Sequence, residues 1–567
     1  MLNSTRFRFP LAVFGVALAL GGCNIVLGLD DYSKGAENSG GQAGKAGSGG
    51  DGGTGGESSG GMGGSGGTNN CSPGTSRACY TGPSGTQDVG ICKGGMQTCL
   101  ADGMGYGPCT GEVLPGTEDC SVAGDEDCNG SSCSETNWAR LFGDAVEQKS
   151  VVVVPDGQGG VYYAGSMDGT VKFDNETLIT GGGRDIFLAR LDVDGKVVWA
   201  NRFGDAGDQD PAAMTVDAAG NIYLGAIVAG TINFGGGTLP AAGYTDIALA
   251  SFDAQGNHRW SKRFGDNAAQ EVHGMAISPA GELVIAGSFG GTMNTGTTTL
   301  TTKGSWDVLA AKFNAQTGDE IWSKQFGSTG MEQCDGVAVD ASGGLWLIGR
   351  YEGFVNLGGN VLPTAAMNDI NVFVLKLDGN GKHVFSNGFG DAELFQYARG
   401  LAVDSDGSII FGGDFEGTMN FGGAALTSPA GSRDIYVTKL SSTGVHVWSK
   451  KFGGTADDYW PRIALDPAGN VFLSCYFTNS IDFGGNTLLS DGSFDFAVAR
   501  LTADGAHVWS RRFGNPSGEL TQQTSTDIVW TPRSLFIAAS QMGKTDYGLG
   551  TLTSAGGFDA AILAIGP

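Results

Sequence analysis

The strongest constraint on this chain is a phrase that it repeats seven times. "WARLFGD" begins at Trp138, "WANRFGD" at Trp199, "WSKRFGD" at Trp260 and "WSKQFGS" at Trp322. "FSNGFGD" follows from Phe385, "WSKKFGG" from Trp448 and "WSRRFGN" from Trp509. Successive copies are 61, 61, 62, 63, 63 and 61 residues apart. A fixed period of this size marks a repeat architecture, in which each unit buries its apolar surface against the next.

Every period carries four strand signals. In the second copy they are "AMTVD" (213–217), "IYLGAIV" (222–228), "DIALASF" (246–252) and "HRWSKRF" (258–264), here strands A to D. B and C are apolar on both faces, so both faces are covered. D carries paired bases at Lys262–Arg263, Lys450–Lys451 and Arg511–Arg512, the charge that an outer edge needs against edge-to-edge pairing. Four antiparallel strands per unit, stacked face to face, describe propeller blades; the coils of a parallel β-helix are shorter. The first copy opens at a strand D, and the last unit ends at a strand C, "DAAILAI" (559–565). The prediction is an all-β fold: a seven-bladed β-propeller over 136–567, closed by pairing of its N- and C-terminal strands.

Three segments precede the repeats. Arg6, Arg8 and the apolar run 11–20 read as an export signal over 1–22, too short to span a bilayer. Its end, "LGGC" (Leu20 to Cys23), resembles a bacterial lipobox. That implies lipidation of Cys23 and, with Asn24 following, the outer membrane; an ordinary secretory peptide is the other reading. Residues 23–70 comprise the anchor and a linker, in which 17 of the 34 positions over 35–68 are glycine. Such a composition buries too little apolar surface to order itself and makes a flexible tether. Residues 71–135 hold Cys71, Cys79, Cys92, Cys99, Cys109, Cys120, Cys128 and Cys133. An even number in an exported chain predicts a small disulfide-rich module with four bridges of undetermined pairing. Within it, "DEDCNG" (125–130) matches half of a calcium loop through Asp125, Asp127 and Asn129. Position twelve is Thr136 rather than Glu, so a disulfide-bracketed acidic turn stands beside the calcium reading. No other cofactor is expected.

The formal net charge is −26, which argues against nucleic acid as a partner, since phosphate binding needs a basic footprint. With the repeats laid out, the units resemble the SBBP β-propeller repeats of bacterial exported proteins. The resemblance is carried by "W-x-x-x-F-G", "VD-x-x-G-N-[VI]-Y/F" and "DIFLARLDxDGxxxW" and covers nearly all of 138–567. Phe385 in place of Trp and a longer "NDINVFVLKL" depart from it. The Cys-rich module resembles the metal-binding type that precedes such propellers in surface lipoproteins. The resemblance implies the fold and leaves the ligand open; together with the lipobox, the expectation is a surface-exposed, lipid-anchored monomer.

Most residues with candidate chemistry recur in several units. His258, His383, His446 and His507 each stand two residues before the aromatic of strand D, in blades too far apart to share a metal. Cys334 and Cys475 read as buried free thiols. Asp185, Asp246, Asp307, Asp369, Asp434, Asp495 and Asp559 open the C strands, where a carboxylate accepting backbone N–H groups fixes the entering loop. Variable loops between D and A emerge on the same face as the B–C loops, and binding residues concentrate on variable loops. That face offers Asp208, Gln209, Gln270, Gln333, Gln396, Tyr397, Asp458, Tyr459 and Trp460; Gln148 shares the position, and the recurrent glutamines read equally as loop clamps. The expected function is a non-enzymatic binding or adhesion module for a polysaccharide or protein on the cell envelope. The alternatives are an envelope assembly scaffold and a quinoprotein-like enzyme, the latter because "FNAQTGDEIW" (313–322) resembles a tryptophan-docking repeat.

Overall fold

The computed structural model describes residues 71–83, 86–116, 128, 135–362, 369–391, 395–491, 493–515 and 522–566. Among them every regular element is a strand. Seven four-stranded antiparallel sheets follow in sequence, each ordered A-B-C-D. Blade 1 has Gln148–Pro155, Val161–Met167, Asp185–Leu191 and Val197–Phe203. Blade 2 has Gln209–Val216, Ile222–Val228, Asp246–Phe252 and His258–Phe264. Blades 3 to 6 open at strands Gln270–Ile277, Glu332–Val339, Gly400–Val403 and Asp458–Leu465. Blade 7 takes Gln522–Trp530, Leu535–Met542 and Asp559–Ile565 from the end of the chain and Thr136–Phe142 from its beginning. Thr136 faces Ile565 and Phe142 faces Ala560 across that seam. The predicted closure is the observed one.

Strands B and C are buried along nearly their whole length, and Val161–Met167 and Asp246–Phe252 at every residue. Their side chains fill the wedges between neighbouring blades, about 1.5–3 kcal/mol for each fully buried Leu, Ile or Phe. Each letter of the repeated phrase then has a task. The Trp indole reaches the next blade: Trp138 Nε1 donates to Val193 O at 2.8 Å, Trp199 to Ala254 O, Trp260 to Ala315 O, Trp322 to Gly379 O and Trp448 to Ala503 O. Trp509 Nε1 has no partner among the described residues, because blade 7 has no continuous C–D turn to meet it. The Phe packs on a short hairpin of the next blade, as Phe203 on Phe234 at 5.4 Å and Phe389 on Phe421 at 5.0 Å. The Gly leaves room for the aspartate that opens strand C: a Cβ on Gly265 would sit 1.9 Å from Asp246 Oδ1.

Those aspartates accept backbone N–H groups, for example Gly181 to Asp185 at 2.8 Å and Ala555 to Asp559 at 3.0 Å. In blade 4 the position belongs to Asn371, which faces Tyr351 and lies against Gly390 as Asp185 lies against Gly204; Asp369 is two residues early. The bases of strand D also need correction. Arg263, Lys451 and Arg512 do not simply charge an edge: each turns back to its blade's aspartate, Asp246, Asp434 or Asp495, as Arg202 does to Asp185.

Two features exceed the sequence reading. Strand A begins four residues earlier, at Gln209 rather than Ala213 in blade 2, and carries a bulge between Pro211 and Ala213 that recurs in blades 1, 3, 4, 6 and 7. Each B–C connection also holds a small hairpin, such as Ile232–Asn233 with Thr238–Leu239. The four repeated histidines sit beneath hairpin glycines, and His258 Nε2 lies 3.1 Å from Ser261 Oγ with the same contact at His383, His446 and His507.

In the cysteine-rich segment, Cys71–Cys99, Cys79–Cys109 and Cys92–Cys128 are bridged, while Ser76–Cys79 pairs with Gly95–Thr98. The other two of the eight cysteines, Cys120 and Cys133, lie outside the described residues, as do Cys23 and the calcium candidates Asp125, Asp127 and Asn129. Cys334 and Cys475 are buried and outside the three disulfides.

Candidate functional site

Seven copies of one blade supply an internal standard. A residue present at the same place in every blade serves the blade, and a residue present in one or two serves something else. One position at the entrance of strand A holds Gln148, Gln209, Gln270, Glu332, Gln396, Asp458 and Gln523 in turn, each fixed by a bond that its backbone N–H donates, such as Gln209 N to Arg184 O and Asp458 N to Arg433 O. These side chains are buried loop clamps. Gln209 Oε1 accepts Asp205 N at 3.1 Å while its Nε2 donates to Ala229 O at 3.0 Å, and Gln270 does the same with Asp266 and Gly290. Gln148 and Gln396 repeat the pattern on Asp168 O and Glu416 O. Gln333 is one residue late and accepts from Arg350 Nε at 2.9 Å instead. Asp458 is fully buried in the clamp position and accepts Gly454 N at 3.2 Å. Burial, with Asp434 and Asp457 nearby, pushes its carboxyl up to about 8, so a neutral acid stands where most blades hold a neutral amide. Asp208 lies at blades 1 and 2, 3.8 Å from Arg184.

One position further along, the blades part company. Lys149, Asp210, Glu271, Gln333 and Thr524 occupy blades 1 to 4 and 7, against Tyr397 and Tyr459 in blades 5 and 6. Their partners on strand B are Ser166, Ile227, Ser288 and Ser540 in blades 1, 2, 3 and 7. Blades 4, 5 and 6 have Arg350, Asp414 and Tyr476 instead. The symmetry is broken in three adjacent blades, on the face where the D–A and B–C connections emerge.

There the side chains form one cluster. The guanidinium of Arg399 stacks 4.0 Å from the Trp460 ring centre and 4.7 Å from that of Tyr397. Arg350 lies 5.1 Å from Tyr397. Arg433 lies 5.5–5.7 Å from Tyr397, Phe395 and Tyr459. Tyr459, Tyr476 and Phe494 continue the cluster with centroids 5.5 and 5.6 Å apart. Each arginine has its acid: Arg350–Asp335 at 3.5 Å, Arg399–Asp414 at 3.2 Å and Arg433–Glu416 at 2.9 Å. Burial draws the pKa of Arg433 down, but Glu416 and Asp414 more than offset it and hold the group above its ordinary value.

Trp460 has φ 58°, a conformation that costs a bulky residue of order 1–3 kcal/mol and that marks functional sites. Beneath it Arg462 spans three blades, donating to Thr526 O at 2.9 Å and Arg399 O at 3.0 Å. The inner strands also close on one another, since a Cβ on Gly274 would lie 2.7 Å from Val337 N and one on Gly400 3.0 Å from Ile463 N. The cluster, the mouth of this face, therefore rests on closely packed inner strands.

The structure thus brings Tyr397, Tyr459 and Trp460 together and leaves Asp208, Gln209 and Gln270 apart from them. Arg350, Arg399, Arg433, Asp414 and Glu416 were missed in the sequence; superposing the seven repeats residue by residue exposes Arg350, Arg399 and Asp414, whereas Arg184 and Glu352 share the positions of Arg433 and Glu416. The stretch "FNAQTGDEIW" is an ordinary C–D hairpin, with Trp322 on Gly379 as in other blades. A cavity of about 530 Å³ on the opposite face is lined by the A–B turns of blades 1 and 2, whose Asp156 and Asp217 are satisfied by Arg190 and by Asn221 with Tyr223.

No family model matches the chain. It is 23% identical over 426 residues to the regulatory protein FlaEY of Caulobacter vibrioides, covering 69% of this chain and 42% of that protein, so it spans less than half the relative's length. Among solved structures, it resembles the quinohemoprotein alcohol dehydrogenase of Comamonas testosteroni with a TM-score of 0.37 at 11% identity, over 76% of each chain. The Neurospora crassa Pan2 WD40 domain gives 0.37 at 10% identity, over 73% of this chain and 89% of that one. BamB from Moraxella catarrhalis gives 0.32 at 12% identity, over 75% and 100%.

Proposed function

We propose that this chain is a non-enzymatic binding module displayed on the cell envelope, and that the mouth at blades 4 to 6 is its recognition surface. The observation that carries the reading is the clustering of arginines against aromatic rings in three adjacent blades of an otherwise repeated scaffold. Rings and guanidinium groups held against one another are pre-organised, which lowers the entropy cost of binding. The side-chain charges there are already paired, which suits recognition better than proton transfer.

Display at the envelope is supported by the signal-like segment ending at Cys23 and by three disulfides, which persist in oxidising compartments. Labelling of cells with a palmitate analogue tests the anchor: the chain takes up label and the Cys23→Ser variant does not, and an unlabelled native chain sinks this part. The mouth is tested by a melting-temperature screen of the full chain against cell-wall and polysaccharide fragments. A ligand at 100 times its Kd adds about 2.7 kcal/mol. Replacing Tyr459 and Trp460 by Ala removes that shift, and a ligand indifferent to both replacements binds elsewhere.

A further inference from the structure

The polar groups of the mouth define what its ligand must offer. Arg433 donates one hydrogen bond among the described residues, Nε to Glu416 Oε1 at 2.9 Å; its Nη1 lies 3.9 Å from Asp414 Oδ2, an ion pair beyond hydrogen-bond distance, so its amino groups keep donor capacity for a ligand. Glu416 Oε2 has no hydrogen-bond partner among the described residues. Both side chains are about a quarter exposed, 25% and 24%. Behind them Asp414, fully buried, has an oxygen, Oδ2, without a hydrogen-bond partner. Donors and acceptors therefore stand side by side at the opening. Carboxylates and phosphates only accept, and ammonium groups only donate; a hydroxyl does both.

Charge narrows the class further. The three arginines are matched by three acids, and the chain as a whole carries −26, so no net positive field awaits an anion. Around the Arg433–Glu416 pair stand flat rings: Phe395 is 44% exposed and stacks on Tyr397 with 13° between planes, and Tyr459 flanks the other side of Arg433. An aromatic face accepts an apolar C–H face. Flat rings beside a neutral donor–acceptor pair match a molecule with an apolar ring face and hydroxyls on its rim.

We propose that the mouth binds a neutral sugar ring, its apolar face on Phe395, Tyr397 and Tyr459 and two adjacent hydroxyls on Arg433 and Glu416. This inference rests on the reading of the mouth as the recognition surface.

The test is calorimetric titration of the full chain with neutral hexasaccharides of glucose, mannose and xylose, and with oligogalacturonate as the charged counterpart. We expect a neutral sugar to bind with an affinity that changes less than about twofold between 50 and 500 mM salt, since no net charge is screened. Arg433→Met and Glu416→Ala each weaken it by about tenfold to a hundredfold, the range for hydrogen bonds to charged groups, while Phe395→Ala, on an exposed ring, weakens it without altering the melting temperature. Preference for oligogalacturonate, abolished by the same variants, overturns the sugar class and keeps the mouth. A neutral sugar that binds all three variants like the native chain overturns the mouth as well. Failure of every neutral sugar to bind overturns this inference, and the mouth is then judged by the broader screen.

Discussion

At the scale of single residues, the molecule shows what a position costs when one blade departs from the rest. Asp458 sits in a clamp filled by glutamine in five blades, with a folded pKa of about 8 against an unfolded value near 3.9. Folding therefore takes up a proton between those values, and by linkage the native state is most favoured at acid pH and loses that advantage as pH rises towards 8. The Asp458→Asn variant lacks this slope, so its melting temperature should gain on the native protein steadily from pH 5 to pH 8; a constant difference would place the proton elsewhere. Asp559 tells a related story. It opens strand C of the closing blade, where strand D offers Leu141 in the place of Arg202, and burial with Asp144 nearby holds its carboxyl at about 6. Leu141→Arg should restore the missing pair, lower that pKa and raise stability at pH 8, by about 1 kcal/mol if the pair behaves as a typical charged hydrogen bond offset by lost packing. A melting curve at pH 8 and pH 5 checks both sign and size, because the gain must shrink as Asp559 protonates.

At the scale of elements, strands B, C and D were legible to the residue in blade 2, because seven residues of unbroken or alternating apolar pattern are a strong signal. Strand A was read four residues short. Pro211 and Asp210 break the pattern, and they do so because strand A is the inner edge, where a missing N–H costs no ladder bond. The B–C hairpins were not legible at all: two-residue strands such as Ile232–Asn233 are shorter than any periodicity. Their trace lay in the repeated Asn or Asp before Gly, as Asn233 Oδ1 accepting Gly235 N at 2.8 Å and Asn420 accepting Gly422 N at 2.7 Å. The mouth was half legible, since Tyr397, Tyr459 and Trp460 stand where the variable D–A segments enter strand A, whereas Arg350 and Asp414 lie within apolar strands. The hairpins also carry a prediction. His258 and His507 lie beneath them, and burial holds their pKa below the ordinary value. Their contribution is complete above pH 6.5 and falls as pH drops below it, because the unfolded chain then binds the proton first. Hydrogen exchange, corrected for intrinsic rates, should show the hairpins at 232–239 and 480–489 opening as pH falls from 7 to 5. The hairpin at 170–179 should not open, since Val197 stands in blade 1 where blade 2 has His258.

At the scale of the whole molecule, seven blades share inter-blade wedges rather than one centre, so stability is set by neighbouring pairs and by the single seam that joins blade 7. A chain beginning after Phe142 keeps six complete blades and loses one strand, yet it uncovers the ladder of Asp559–Ile565. Its unfolding should become broad and partly non-cooperative, and it should associate through the bared edge. Scanning calorimetry with light scattering would show this; a sharp, unshifted transition would mean that the seam contributes little.

That seam has a consequence in time as well as in space. Thr136 donates its hydroxyl hydrogen to Tyr547 O across 411 positions of chain, so one of the first propeller strands to be made stays unpaired until nearly the last has appeared. No intermediate length offers it a lasting partner. Completion of the ring is thus a reading of the message from end to end, and a chain cut short by a premature stop advertises the fault as an open strand, ready for a protease.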